Sequence, residues 1–510
     1  MINKFKKIFL MIFIASSFTQ ETSSVFTGSF GSVTLGDEIY NHFSLRPEIS
    51  AGNLGLGLDF YFYFDDEGNL HRDNWDFSDS KNSFKTIVDK IYYIRWGTPI
   101  DDFYFRFGAL NKVSLGHGSL VNNYSNVTDF PNYRRKGFTF NYKFSKVLLK
   151  FVHSDFKEFR SPSLLALSVD FEYIDKLNLN LTLVTDGNQQ KGLIDSDEDG
   201  YPDYMDDYPY DDGVWNEDAE IVAEMLDPTS DIYASCHGNL PNFNPICQSI
   251  VDQYNRRIAA LSNLAKKKDE VSGMSFGLSY ELTNRLSVYS EWSQLIGKTS
   301  PQLNYNPKLG SGYIPIGFKM NWDRVSFSID YRTHDENFVF NYWNQNYDLN
   351  RIVVYTEDDG SGQLVSNFET KEQGLYKYGE SKGVRLNIVS SLKYFGMELS
   401  YSHMNSDLWQ ESLNGYKADK NNTLYLGFNI DTSNIQRVQI AEMFYQQSYV
   451  SNPFDFDPNE HTLLGYNIGI DLSENMILTF KGRKSYVPSI DDPSDYDSVK
   501  NTQIETQILF

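Results

Sequence analysis

Along most of the chain apolar and polar residues alternate with a period of two, the pattern of β-strands that keep only one face away from water. In NLGLGLDFYFYFD, which starts at Asn53, the residues Leu54, Leu56, Leu58, Phe60, Phe62 and Phe64 share a face opposite Gly55, Gly57, Asp59, Tyr61 and Tyr63. IYYIRWG sets Tyr92, Ile94 and Trp96 against Tyr93 and Arg95, and DFYFRFG sets Phe103, Phe105 and Phe107 against Tyr104 and Arg106. Later, TLYLGFNI sets Leu424, Leu426, Phe428 and Ile430 against Tyr425, Gly427 and Asn429. In LGYNIGIDL, Leu464, Tyr466, Ile468, Ile470 and Leu472 oppose Gly465, Asn467, Gly469 and Asp471.

A soluble two-sheet sandwich also alternates. Connection lengths separate the two. Short turns stand at SAGN (Ser50 to Asn53), TPID (Thr98 to Asp101), FSK (Phe144 to Lys146), LTN (Leu282 to Asn284), WDR (Trp322 to Arg324), TSN (Thr432 to Asn434) and SEN (Ser473 to Asn475). Between them come long polar loops, among them Asp65 to Asp89, Asn111 to Arg135, Gly297 to Ser311 and His334 to Ser381. This asymmetry belongs to barrels whose short turns face the periplasm and whose long loops face outward. The expected fold is all-β, a transmembrane antiparallel up-and-down β-barrel of about 16–20 strands, even in number.

Both termini agree with an exported barrel. Lys4, Lys6 and Lys7 precede an apolar run from Ile8 to Ile14 and the small residues Ala15, Ser16 and Ser17. This is the pattern of a signal peptide over residues 1–20, with cleavage after Ser17 or a few residues later. The last segment, NTQIETQILF, sets Ile504, Thr506, Ile508 and Phe510 against Glu505, Gln507 and Leu509. It resembles the terminal strand of bacterial outer-membrane proteins, and the resemblance implies recognition by the barrel-assembly machinery and residence among outer-membrane lipid.

Composition sharpens this picture. The 510 residues include 35 Tyr and 37 Phe, yet the mean hydropathy is −0.46, as expected where aromatic girdles flank an apolar band and the other strand face is polar. A net charge of −23 argues against a nucleic-acid partner, which needs a basic surface.

Residues 21–186 and 272–510 read as the two parts of the barrel, and 187–271 as an external insertion with a helix-like stretch from Val251 to Glu270. Its DSDEDGYPDYMDD places Asp195, Asp197, Asp199 and Gly200 at positions 1, 3, 5 and 6 of an EF-hand-like loop, with Asp203 at 9 and Asp206 at 12. Alternate carboxylates around a Gly turn, with the Tyr201 carbonyl, suit the six to eight oxygens that Ca²⁺ takes. The spacing resembles a thrombospondin type 3 repeat, which implies a structural Ca²⁺ that stiffens the loop. Position 12 is Asp rather than the usual Glu, a side chain shorter by one methylene. Pro202 and Pro209 exclude the flanking helix of a true EF-hand. Cys236 and Cys247, the only cysteines, read as one local disulfide, with two free thiols as the alternative.

If the apolar faces meet lipid, the opposite faces carry Arg95, Arg106, Lys319, Arg332, Arg385, Lys481 and Arg483 against Asp59, Asp330 and Asp471. Such a basic-leaning lumen suits an anion-tolerant pore. LGHGSL brings His117 and Ser119 together without an orienting acid, so no hydrolase emerges. In layout the chain resembles outer-membrane porins, which implies passive movement of small polar solutes. A surface barrel for adhesion or envelope organisation is the alternative.

Overall fold

The computed structural model describes residues 22–509, apart from 36–37, 72–74, 111, 129–133, 194, 196–200, 203–205, 207–215, 217–218, 238–243, 267, 301–306, 359–363, 394, 431–437, 474 and 490–494. The signal-peptide segment, the TSN turn and Phe510 lie outside the described residues.

The first half of the sheet comprises β1 (Thr22–Leu35), β2 (Glu38–Ala51), β3 (Leu54–Leu58), β4 (Phe60–Phe64), β5 (Ile91–Trp96), β6 (Phe103–Gly108), β7 (Gly137–Phe144), β8 (Val147–His153), β9 (Leu165–Ile174) and β10 (Leu177–Asp186). After the insertion come β11 (Val271–Thr283), β12 (Leu286–Ile296), β13 (Ser311–Trp322) and β14 (Val325–His334). Strands β15 (Ile352–Asp358) and β16 (Leu364–Thr370) form a separate ribbon. The wall resumes with β17 (Tyr378–Ser391), β18 (Phe395–Gln410), β19 (Gly415–Lys420), β20 (Asn422–Ile430), β21 (Val438–Val450), β22 (Thr462–Ser473), β23 (Met476–Pro488) and β24 (Tyr496–Leu509).

Twenty-two segments join in one sheet. Two wall strands are each interrupted once, β3/β4 at Asp59 and β19/β20 at Asn421, so the wall has 20 strands, antiparallel throughout. Closure pairs β1 with β24, from Thr27 opposite Leu509 to Val33 opposite Gln503. Lipid offers no hydrogen bonds, so closure satisfies the edge that would otherwise remain.

Side chains follow the predicted alternation. On β2, Phe43 is 48 % exposed on the outer face, while Tyr61 and Tyr63 on β4 are buried inside. On β22, Tyr466 and Ile468 face outward, and Glu505 on β24 is buried in the interior. Turns at one end are short, as at Ser145–Lys146 and Asp323–Arg324. The opposite end carries the long connections, with a tight exception among the described residues at 411–414.

Three expectations change. The connection from Asp65 to Asp89 is not all loop, because its second half is helix α1 (Ser80–Asp89), capped by the Asp79 carboxylate accepting from Asn82 N–H at 2.8 Å. The described residues 112–128 and 335–350 of two long loops do not project away from the barrel. They fold into it, because Leu115, Leu120, Val121, Tyr124, Phe338, Phe340, Tyr342, Trp343 and Tyr347 join one core with inward wall residues such as Val184 and Tyr289. In the insertion, α2 (Ala219–Leu226) and α3 (Asp231–His237) are additional, and α4 spans Pro245–Lys266 rather than Val251 to Glu270. Pro245 opens α4 where a missing N–H costs nothing, and Asn244 caps it.

The seam between β1 and β24 yields a test. A Cβ on Gly31 would collide with the Ile504 carbonyl and the Glu505 backbone. Gly31→Val is therefore expected to prevent closure, read as loss of the heat-modifiable gel shift of the folded barrel, whereas Ser32→Val should retain it.

Candidate functional site: a lumen narrowed by two inward loops

The first loop leaves β6, crosses the lumen and returns as β7. At its turn, Gly116 and Gly118 take φ of +59° and +82°, which L-residues rarely adopt. The backbone N–H groups of His117 and Ser119 thereby converge on the Glu291 carboxylate of β12, at 3.1 and 3.2 Å. Charge-assisted bonds of this kind contribute about 1.5–3 kcal/mol each. Farther along, Lys112 Nζ and Asn123 Nδ2 reach Glu398 of β18 at 2.6 and 2.8 Å. Arg483 of β23 donates to the Val127 carbonyl, and Arg134 reaches Asp59, between β3 and β4, at 2.9 Å. These anchors lie on well-separated parts of the wall, so the loop spans the barrel.

The second loop follows β14 and runs beside the first. Asn122 N–H donates to the Trp343 carbonyl and Trp343 N–H to the Leu120 carbonyl, both at 3.0 Å. This is a parallel bridge between Val121 and Trp343. Tyr124 Oη donates to Asp348 at 2.8 Å and Tyr347 Oη to Asp186 at 2.9 Å. Withdrawing one such ring from water contributes about 1.5–3 kcal/mol, so the buried rings Phe338, Phe340, Tyr342, Trp343 and Tyr347 offset part of the cost of ordering the loop inside the barrel.

On the side of β17, β18 and β20–β24 a cavity of about 510 Å³ remains. Its polar lining includes Lys112, Glu398, Tyr425, Glu442, Asn467, Lys481, Arg483 and Gln503. Lys481 is paired with Glu505 at 2.5 Å. The predicted lumen cations therefore do not form one row. Lys481 and Arg483 reach the cavity. Arg332 pairs with Asp330, opposite which stands Arg385 on β17, and the Arg332 guanidinium lies 4.7 Å from the Phe340 ring under the second loop. Arg95 and Arg106 face each other in register on β5 and β6. Arg95 donates to the Gly97 carbonyl at 3.1 Å, and Arg106 lies 4.9 Å from the Tyr93 ring. Lys319 stands opposite Ser287 on β13 and β12.

His117 stacks on Tyr289 with ring centroids 4.4 Å apart, and burial pushes its imidazole down to about 4. The nearby Glu291 bonds backbone N–H groups, not the ring. The pair His117 and Ser119 thus belongs to a loop anchor. Sequence reasoning missed Glu291, Glu398, Asp186 and Asp348. For Glu291 the only signal is a single carboxylate on the lumen face of the alternating SVYSEWSQ.

In the insertion, Cys236 and Cys247 form a disulfide. Of the proposed calcium ligands, Asp206 is buried and Asp195 and Tyr201 are half-buried. Asp197, Asp199 and Asp203 lie outside the described residues, and among the described residues no group of three His, Cys, Asp or Glu side chains gathers as a metal site. The base of the insertion is tied to the barrel mouth through Gln189 and Asp269. Tyr342 Oη and the Glu372 N–H donate to Gln189 Oε1 at 2.8 and 3.2 Å, and Thr370 donates to Asp269.

The carboxyl of Glu372 accepts from Lys298 N–H at 2.5 Å and from Gln189 Nε2 at 3.3 Å. Burial, reinforced by the neighbouring Asp269, pushes it from 4.5 up to about 9. The folded chain then holds a proton that the unfolded chain releases, so this junction weakens as pH rises from 4.5 to about 9. Limited proteolysis of residues 187–270 is expected to speed up across that window. Glu372→Gln should be cut at a rate like that of the native chain near pH 4.5 and progressively more slowly than it as pH rises toward about 9.

No family model matches the sequence, and no curated protein matches it. Among solved structures the chain is similar to the copper transporter OprC, with 8% identity, 96% of this chain and 81% of that one covered, and a TM-score of 0.37. It is also similar to the outer membrane protein opdK from Pseudomonas aeruginosa, at 9% identity, 96% and 98% coverage and a TM-score of 0.31. A third is the siderophore receptor PirA from Acinetobacter baumannii, at 8%, 96% and 80%, and 0.33.

Proposed function

We propose that this chain is an outer-membrane channel that passes small polar solutes passively through a lumen narrowed by its two inward loops. The observation that carries the reading is the cavity of about 510 Å³ beside the first loop, with its polar lining. Its lining holds Lys112, Lys481 and Arg483 against Glu398 and Glu442. Because Glu505 pairs with Lys481 and Glu398 with Lys112, the expected anion preference is mild. The second reading, a surface barrel without transport, is favoured by the aromatic packing of Phe338, Tyr342, Trp343 and Tyr347 at the mouth.

Export by the N-terminal signal and insertion by the barrel-assembly machinery complete the reading. A structural Ca²⁺ would be held by Asp195, Asp197, Asp199, Asp203 and Asp206, with the Tyr201 carbonyl. The buried Asp206 and half-buried Asp195 support it, since a carboxylate held away from water is costly until a cation joins it.

Refolded chain in planar bilayers is expected to give steady single-channel conductance with a weakly anion-biased reversal potential. Silence from a barrel shown to be folded by heat-modifiable mobility would transfer the assignment to the surface-barrel reading. Terbium luminescence sensitised by tyrosine should report the metal loop independently of conductance. Asp206→Asn should weaken it by about tenfold, the order expected when a site loses one charged partner.

A further inference from the structure

We propose that helix α1 is part of the membrane-facing wall, with Phe84 and Ile87 turned to the acyl chains of the bilayer. The inference rests on the outer-membrane reading above. Strand β4 pairs with β2 on one edge only, since β5 pairs with β3 and begins lower in the wall. An uncapped strand edge is costly in hydrocarbon, where backbone groups find no water.

The free edge of β4 is closed by residues of the connection that contains α1. Asp59 N–H donates to the Lys90 carbonyl at 2.8 Å, and His71 N–H donates to the Tyr63 carbonyl at 2.9 Å. Trp75 Nε1 donates to the Tyr61 carbonyl at 2.9 Å. The Trp75 ring also stacks on Phe62, at 4.7 Å and 9°. Phe62 shares its side of the sheet with Phe43 across the β2–β4 pairing, the apolar exterior. Trp75 therefore covers the outer face of the sheet at Phe62, while His71 packs on the inward Tyr40, so the connection stands at the free edge of β4.

Depth follows from the same contacts. The bond from Asp59 to Lys90 fixes the C-terminal end of α1 level with Leu58 and Phe60, midway along the interrupted strand from Leu54 to Phe64. From its middle toward that end Phe84 and Ile87 are 54 % and 57 % exposed, close to the 48 % of Phe43 on the strand face. Thr86, Val88 and Asp89 are buried on the other side. The first turn carries Ser80, Asn82 and Ser83, polar residues that suit the headgroup level. A helix satisfies its backbone internally, so it can complete a wall where a strand is missing. The exposed apolar face continues that of β2 and β4, and acyl chains are the occupant that this continuity selects.

The test uses the full chain with its disulfide intact, refolded into phosphatidylcholine vesicles, with a nitroxide on Phe84→Cys, Ile87→Cys, Phe43→Cys or Glu67→Cys. Collisions with oxygen and with a water-soluble nickel chelate are compared, and folding is checked by heat-modifiable mobility. The oxygen-to-nickel ratio at Phe84 and Ile87 is expected to match that at Phe43 and to exceed that at the exposed Glu67 by about threefold or more, as for groups sunk below the headgroups. A lipid-like ratio at Phe43 with water-like ratios at Phe84 and Ile87 overturns the inference alone. Water-like ratios at all four positions overturn the membrane reading itself.

Discussion

The dependence of this structure on a closed sheet comes from one constraint: hydrocarbon offers no partner to a peptide N–H or C=O. Twenty strands meet the constraint by pairing in sequence and by joining β1 to β24. The seam shows how little room it leaves, since Gly31 lies against the Ile504 carbonyl and admits no side chain. Where the ladder is incomplete, at β4, the edge carbonyls of Tyr61 and Tyr63 take an indole N–H and a backbone N–H from outside the sheet. Alternation then follows from the pleat, and apolar side chains can go only outward while the polar set is enclosed.

Enclosure poses a second problem, because a wide polar interior cannot build a hydrophobic core from its wall. The chain solves it with loops. Residues Leu115 to Tyr124 and Phe338 to Tyr347 supply the apolar mass that the inward wall faces lack. Wall carboxylates hold them by bonds to loop backbone, as Glu291 does, or to loop side chains, as Glu398 and Asp59 do. The cations noted in the sequence enter the same scheme. Arg332 and Arg483 bind an acid neighbour and a loop carbonyl, so their charge acts first in positioning.

The wall was legible because strand alternation is a local property with a strong period. The segment at Asn53 announced its two faces residue by residue, and Leu54 and Tyr61 lie on the sides so assigned. The break at Asp59 was not legible, since the pattern runs through it without a lapse. Nor was the course of the long loops. Asn111 to Arg135 is polar enough on average to read as external, and its direction depends on partners, Glu291 and Glu398, that lie 174 and 275 residues away from the groups they bind. Helix α1 was hidden for a related reason. SKNSFKTIVD offers one short helical stripe, Phe84, Ile87 and Val88, inside a polar connection, and its place is set by the free edge of β4.

Strand length explains why the first loop enters the barrel at all. The wall strands flanking it, β6 and β7, have 6 and 8 residues, whereas β17, β18, β23 and β24 have 14, 16, 13 and 14. At about 3.3 Å per residue, β6 is roughly 23–33 Å shorter along its strand than the strands of the taller side. A chain leaving the sheet at Gly108 therefore starts below the rim, with the taller wall standing across from it. Its nearest polar partners are inside, on β12, β18 and β23, and it reaches them directly. The cavity survives on the tall side, walled by β17, β18 and β20–β24. The same low wall leaves β5 too short to cover β4, which is where α1 stands. One difference in strand length thus sets the position of the constriction, the place of the remaining space and the gap that a helix fills.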